Sequence, residues 1–102
     1  MTDKRKPTSD LEAFKVAADR MRVTIVATRT AAALGFGRAE IAATIQTMQR
    51  PQFYKSMTSH GDHRVWQDVY HVPSSAGTLY VKFMADVVSE FVLLSFKEKD
   101  ND

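Results

Sequence analysis

The sequence has 102 residues, of which 44% are hydrophobic and 25% charged, with a formal net charge of +2, so it predicts one soluble globular domain with a modest core. No apolar run approaches the ~18 residues that a membrane span needs, which argues against a membrane protein. The chain has no cysteine, which excludes disulfides and thiolate metal sites and favours a reducing, cytoplasmic location.

Residues 1–8 are polar and are expected to form a flexible tail before the first helix. Ser9 followed by Glu12 is a capping box, in which a hydroxyl and a carboxylate satisfy first-turn amides. Apolar residues then recur at three- and four-residue steps through Met21. The pattern predicts an amphipathic helix over residues 9–21.

The next part of the chain predicts a strand and two helices. Residues 22–27 are short and rich in β-branched side chains, as in a single strand. A brief helix is expected over residues 31–34, ended by Gly35. A further helix is expected over residues 37–50, because Pro51 prevents its continuation.

After residue 51 the hydrophobic period changes from nearly four to two, which predicts a meander of antiparallel strands. The predicted strands cover residues 52–58, 64–70, 79–84 and 91–96, with turns at 59–62 and 73–77. Either Asp86 or Ser89–Glu90 turns the chain before the last strand. This order predicts one α+β domain over residues 9–99, with helices packed against the sheet, and a disordered tail over residues 100–102.

The stretch from Gln52 to Tyr80 alternates rings with cations and amides. Between Arg29 and Lys82, six basic residues stand against three acidic ones, a local excess of +3. Rings that stack on bases, beside cations that hold phosphate, are typical of a nucleic-acid surface. An antiparallel sheet with one solvated face shows the same alternation, so the pattern leaves both interpretations open.

Two other kinds of site are possible from the residue types alone. The chain holds enough ligands for a metal ion in His60, Asp62, His63 and His71. His60 and Asp62 fall in a predicted turn that fixes no geometry, so we expect no metal and no other cofactor. Ser56 and Ser95 lack the glycine elbow that surrounds a hydrolase nucleophile, so a catalytic triad is not expected either.

Lys55, Gln67 and Tyr80 come from three neighbouring predicted strands and can converge if the register allows. RNA cleavage without a metal requires a proton acceptor for the 2′-hydroxyl, a proton donor for the 5′-oxygen and a fixed cation near the phosphate. Lysine can supply the charge, or a base if its pKa is lowered, and tyrosine can supply an acid. Glutamine can only orient the phosphate or a base. The pattern alone also fits three ordinary sheet residues.

Four motifs resemble those of the MqsR family, the motility quorum-sensing regulator toxins. They are FYKSM at 53–57, DHxxWQDVY at 62–70, YVK at 80–82 and LSFKEK at 94–99. The resemblance is strongest between Phe53 and Tyr70. It implies a RelE-like α+β fold, in which an antiparallel or mixed twisted sheet has three helices packed against it.

The resemblance also implies an activity. Members of the family are toxins of type II toxin–antitoxin pairs that cut mRNA endonucleolytically and favour GC-containing triplets such as GCU. An MqsA-type antitoxin neutralises them, and the pair represses its own operon, so operator DNA is contacted only through the complex.

On this resemblance, the catalytic residues are expected to be Lys55, Gln67 and Tyr80. Tyr54, Met57 and Lys97 also lie in matching motifs and are expected to contact RNA. From the motif match and the local positive charge together, Arg64, Lys82 and Lys97 are expected to bind the RNA backbone. The resulting hypothesis is a metal-independent mRNA interferase. The alternative hypothesis is a non-catalytic partner that only binds an antitoxin within an operator-regulating complex.

Overall fold

The computed structural model describes residues 2–100 as an α+β fold built on a six-stranded sheet. The elements are β1 (Asp3–Lys4), α1 (Leu11–Ala17), β2 (Arg22–Val23), α2 (Ile25–Ala33), α3 (Arg38–Gln46), a 3₁₀ turn (Arg50–Gln52), β3 (Phe53–Thr58), β4 (Trp66–Ser74), β5 (Gly77–Asp86) and β6 (Glu90–Glu98). The strand order is β1-β3-β4-β5-β6-β2, antiparallel except for the parallel pair β2–β6. The predicted α+β class is therefore confirmed, with three helices and a mixed sheet in the described residues.

The helices cover one face of this sheet. Phe14 of α1 stacks on Phe83 of β5 with ring centroids 3.6 Å apart, and meets Phe91 of β6 edge to face at 5.5 Å. Ile41 and Ile45 of α3 are buried in the same core. Among residues 2–100, no helix has the length and hydropathy to cross a membrane. In the part of the chain that the structure describes, this one-sided packing leaves the other face of the sheet without a helical cover.

Helix α1 is shorter than predicted and begins at Leu11, with its N-cap one residue later than the predicted Ser9. Its N-cap is Asp10, whose Oδ1 accepts a hydrogen bond from the Glu12 amide at 2.9 Å. The predicted cap, Ser9, is wrong because the Ser9 amide donates instead to Asp68 Oδ2 at 2.8 Å. The helix ends at Ala17, and only part of the predicted span of 9–21 is helical.

Helix α2 begins where the sequence predicts a strand. Only Arg22–Val23 pair with β6. The hydroxyl of Thr24 then accepts a hydrogen bond from the Ala27 amide at 3.1 Å and caps the helix. The predicted strand at 22–27 is therefore wrong after its second residue, and the predicted helix at 31–34 is the end of a longer one.

One glycine follows the end of α2, and another precedes the start of α3. Gly35 follows α2 with φ +89°, which an L side chain adopts only with strain, so the predicted helix end is confirmed. Gly37 caps α3, and its amide donates to Glu40 Oε1 at 2.8 Å. The helix ends at Gln46, earlier than the predicted residue 50, and the chain then forms the 3₁₀ turn.

The first three of the four predicted meander strands are confirmed in β3, β4 and β5, with different bounds. β4 begins at Trp66, two residues later than predicted, and continues to Ser74. β5 begins at Gly77, so the loop predicted over 73–77 shrinks to a turn at residues 75 and 76.

The last hairpin uses both of the predicted turn positions. Ser89 donates to Asp86 Oδ2 from its amide and its hydroxyl, each at 3.0 Å. β6 then covers Glu90–Glu98, longer than the predicted 91–96. Of the predicted disordered tail, residues 101 and 102 lie outside the described residues.

Residues 2–8 lie along the edge of the sheet, where the sequence predicts a tail outside the domain. Asp3 and Lys4 pair antiparallel with β3. Further along, the Thr8 amide donates to both carboxylate oxygens of Asp68, at 3.0 and 3.1 Å. The N-terminal segment is therefore attached to the sheet at two places.

We expect Asp68→Ala to destabilise the fold. Asp68 is 1% exposed, and its carboxylate accepts from the amides of Thr8 and Ser9. Removing the acceptor leaves two partly buried donors without a partner, which should lower the free energy of unfolding by about 2–4 kcal/mol. Urea denaturation at neutral pH measures the change.

The matched control is Asp19→Ala. Asp19 is exposed, and its carboxylate accepts no hydrogen bond within residues 2–100. This variant should stay within about 0.5 kcal/mol of the unaltered chain. Equal unfolding midpoints for the two variants would show that Asp68 does not anchor the N-terminal segment.

Candidate active site on the open face of the sheet

The strand register determines which side chains share the uncovered side of the sheet, here called the open face. In β5, Tyr80 and Lys82 alternate with side chains buried under the helices: Leu79, Val81 and Phe83. Residues opposite one another in a ladder point to the same side. The open face carries Lys55, Met57, Gln67, Val69, His71, Tyr80, Lys82 and Lys97. The predicted catalytic residues therefore lie on one side of the sheet.

Side chains opposite one another form rows across the open face. The pocket row contains His71, Tyr80 and Lys97. The middle row contains Lys55, Val69 and Lys82, and the Gln67 row contains Met57 and Gln67. Successive rows along a strand are about 7 Å apart, because each residue adds about 3.3 Å.

A β-bulge places two consecutive residues of β3 on the open face. The register shifts between Phe53 and Lys55, so Tyr54 is the extra residue. The Tyr54 ring stacks on His71 with centroids 4.3 Å apart. The Lys55 ammonium lies 5.4 Å from the same tyrosine ring. The bulge therefore links a cation of the middle row to the rings of the pocket row.

A pocket of about 330 Å³ opens at the pocket row. Its lining consists of Tyr54, His71, Tyr80, Lys97, Lys99 and Asp100. The His71 and Tyr80 rings are 6.2 Å apart, and the Lys97 ammonium lies 5.3 Å from the Tyr80 ring. Rings beside lysines are the residue types that stack on bases and hold phosphate.

The middle row concentrates positive charge. Val69 is fully buried although no helix covers this face, and its cross-strand neighbours are Lys55 and Lys82. Lysine stems that lie across an apolar residue cover it and keep their ammonium groups toward water. Burial, and then the charges of Lys97 and Lys55, lower the pKa of Lys82. With Lys97 in the neighbouring row, three amines share this part of the open face, and an anion is their natural counterpart.

The N-terminal strand adds a carboxylate to the open face. Asp3 lies opposite Met57, and its Oδ2 is 3.5 Å from the Lys55 ammonium. The ion pair holds the lysine head at the edge of the sheet. Asp3 is also a competitor that a phosphate bound to Lys55 must displace or share.

The other predicted residues lie farther from the pocket. Gln67 is four residues from His71 along β4, about 13 Å at about 3.3 Å per residue. Met57 is opposite Gln67 in the same row. Arg64 is outside the strands, on the turn before β4, where its guanidinium donates to Asp62 Oδ1 at 3.2 Å. The predicted set is therefore divided among the pocket, two further rows and a turn.

The described residues give no support to Ser56 as a nucleophile or to a metal site, and they place Ser95 opposite Lys82 on the open face. Ser56 is fully buried, and its hydroxyl is hydrogen-bonded to the Thr8 hydroxyl at 2.8 Å, so it is not exposed as a nucleophile. Within residues 2–100, no group of three or more histidine, aspartate or glutamate side chains could hold a metal ion.

The pocket residues that the sequence did not assign to the site are His71, Lys99 and Asp100, and His71 was weighed mainly as a metal ligand. The signal for His71 is its alternation with Gln67 and Val69 along β4. Burial, and then the charge of Lys99, lower the pKa of His71. Burial, and then Tyr54, raise the pKa of Tyr80. Near neutral pH the pocket therefore offers a neutral imidazole and a protonated phenol.

We expect NMR titration of the His71 ring to give a pKa below the ordinary value of 6.5. Burial disfavours the imidazolium, and the unfolded chain keeps the ordinary pKa. Stability should therefore fall as the pH drops below about 6.5, since the unfolded state binds the proton more tightly. A spectrum of His71→Gln assigns the resonance.

Lys99→Met removes the neighbouring positive charge and should raise the pKa of His71 toward 6.5. Lys15→Met, on helix α1, is the control and should leave it unchanged. A His71 pKa above 6.5 in the unaltered chain would contradict this description of the pocket.

Two comparisons with known proteins identify the family of this chain. The family model for "Motility quorum-sensing regulator, toxin of MqsA" matches residues 6–98, which include all of β3 to β6. The chain is also 36% identical over 99 residues to the "mRNA interferase toxin MqsR" of Escherichia coli (strain K12), which covers 95% of this chain and 99% of that protein. These matches confirm the resemblance found in the motifs. The chain belongs to the family of motility quorum-sensing regulator toxins.

Proposed function

We propose that this chain is an endoribonuclease, an mRNA interferase of a toxin–antitoxin pair, and that it cuts RNA on the open face. The family and the name of the Escherichia coli relative support the activity. The observation that carries the proposal is the placement of Lys55 and Tyr80 in adjacent rows of one uncovered face, next to a pocket of rings and lysines. A protein that only binds an antitoxin would not require this arrangement.

The proposed chemistry uses the 2′-hydroxyl of the RNA as the nucleophile. Its oxygen attacks the adjacent phosphorus in line, and the 5′-oxygen leaves. The Lys55 ammonium binds the phosphate oxygens, where negative charge grows in the transition state. The Tyr80 phenol, which its raised pKa keeps protonated, donates to the leaving oxygen. No metal ion takes part.

The remaining predicted residues bind the strand on either side of the cut. Tyr54 offers a stacking surface in the pocket, and Lys82 and Lys97 hold the backbone. Gln67 and Met57 lie one row beyond Lys55, so they contact a neighbouring nucleotide rather than the scissile phosphate. Arg64 reaches the backbone from its turn.

The finer parts of the proposal come from the family resemblance. We propose that the cut falls at GC-containing triplets in mRNA, so that translation and growth stop. The partner is an antitoxin of the MqsA type, and operator DNA is bound only by the complex. Because the substrate is mRNA, the site of action is the cytoplasm.

The purified chain is expected to cut a mixed-sequence RNA in the presence of EDTA, since every proposed group is a side chain. The products should carry a 2′,3′-cyclic phosphate and a 5′-hydroxyl, which mass spectrometry identifies. Mapped cuts should fall at GC-containing triplets. RNA with 2′-O-methyl groups is the control and should stay intact. If micromolar protein leaves unmodified RNA uncut, the non-catalytic partner becomes the better account.

Lys55→Ala should lower kcat/KM for this cleavage by about 10²–10³-fold, because a fixed charge at the phosphate is lost. Lys55→Arg keeps the charge and should retain more of the activity than alanine does. Toxicity on expression should follow the same order.

The matched control is Lys15→Ala. Lys15 is also a partly buried lysine in an ion pair, with 18% of its side chain exposed against 26% for Lys55, but it lies on α1. Its replacement should leave cleavage unchanged. Full activity in Lys55→Ala would remove this lysine from the mechanism.

A further inference from the structure

The proposed reaction still needs a general base. The inference drawn below rests on the proposed function. A base must take the proton of the 2′-hydroxyl. Lys55 is held in an ion pair with Asp3 and is assigned to the charge of the phosphate. Tyr80 is assigned to the leaving oxygen. The open face must therefore supply a further residue as the base.

His71 has the position that this role requires. It is in the pocket row, directly opposite Tyr80. It is also one row from Lys55, whose partner on β4 is Val69. A phosphate between Lys55 and Tyr80 thus has the imidazole beside it. Among the pocket side chains, only His71 has an ordinary pKa near neutral pH.

The ring packing favours proton transfer over base stacking. The Tyr54 ring covers one side of the imidazole, with an angle of 24° between the two planes. The Tyr80 ring comes from β5, on the opposite side of β4 from β3, and is tilted by 41°. An imidazole placed between two rings presents its edge to the pocket, and the edge carries both nitrogens. A base of the RNA finds its stacking surface on Tyr54 or Tyr80 instead.

Titratable groups of both charge signs surround His71. The titratable groups that face His71 are Tyr54 of β3, Tyr80 of β5 and, from β6 and the residues after it, Lys97, Glu98, Lys99 and Asp100. Burial and Lys99 favour the neutral imidazole, the form that can accept a proton. The pKa of the Lys82 amine is also lowered, but Lys82 lies in the middle row, opposite Val69.

We propose that His71 is a catalytic residue, the general base that takes the proton from the 2′-hydroxyl of the RNA. The O–H bond breaks as the proton moves to an imidazole nitrogen, and the 2′-oxygen forms a bond to phosphorus. The bond between phosphorus and the 5′-oxygen breaks, and that oxygen takes the proton of the Tyr80 hydroxyl. Water then returns the proton from the imidazolium to Tyr80, so the enzyme is regenerated unchanged.

The experiment compares pH profiles of kcat/KM for the full chain, His71→Gln and His60→Gln. In the unaltered chain the rate should fall about tenfold per pH unit below the pKa of His71. His71→Gln keeps a polar side chain that cannot titrate, so it should lose about 10²-fold and no longer show the acid limb. His60→Gln, in the exposed turn before β4, should match the unaltered chain.

A second variant separates proton transfer from ring packing. His71→Phe keeps a ring against Tyr54 but has no nitrogen, so it should be as slow as His71→Gln. Circular dichroism confirms that each variant is folded. An RNA with sulfur in place of the scissile 5′-oxygen needs no acid for departure. His71→Gln should stay slow on it, whereas loss of a general acid would be rescued.

The outcomes separate this inference from the proposed function. If the unaltered chain does not cut RNA, the proposed function fails, and the inference fails with it. If it cuts and His71→Gln keeps its rate and its acid limb, only the inference is overturned. Rescue of His71→Gln by the sulfur substrate, or full activity in His71→Phe, would also overturn it.

Discussion

The arrangement of this protein depends on the packing of its helices against only one face of the sheet. Phe14 of α1 stacks on Phe83 of β5, and this contact fixes which side of β5 faces the core. Because side chains alternate along a strand, Tyr80 and Lys82 must then face away from the helices. The cross-strand register extends this separation to β3, β4 and β6. The core and the candidate active site are therefore two sides of the same strands, and neither can shift register without the other.

Two irregular features adapt the open face to a site. The bulge in β3 places Tyr54 and Lys55 on the same side, which regular alternation forbids. The short strand β1 adds Asp3 beside Lys55, and the segment after it is attached through Asp68. The bulge brings Lys55 next to the pocket rings, and the ion pair with Asp3 holds the Lys55 ammonium in place. Substitutions in β1 should therefore affect the candidate active site through Lys55.

The sequence predicts the regular parts of this structure well, since a period of two is a strong signal when one face is buried. It shows that Lys55, Gln67 and Tyr80 can share one face, but only the strand register shows that they do and how many rows separate Gln67 from Tyr80. It misplaces the start of α2, because the run after Arg22 has β-branched residues while the cap at Thr24 depends on local hydrogen bonding. It misses β1, since two residues have no periodicity. His71 was missed because its meaning depends on the rings around it, which only the folded sheet brings together.

The central claim is that RNA binds the open face, and methionine methyl groups report on both sides of the sheet. Met57 lies on the open face, whereas Met21 and Met48 are buried in the core under the helices. The direct measurement is an NMR titration of methyl-labelled protein with a 2′-O-methyl RNA that cannot be cut. RNA bound to the open face should shift the Met57 methyl resonance and leave those of Met21 and Met48 unchanged. Shifts at Met21 or Met48 while Met57 stays unmoved would contradict it.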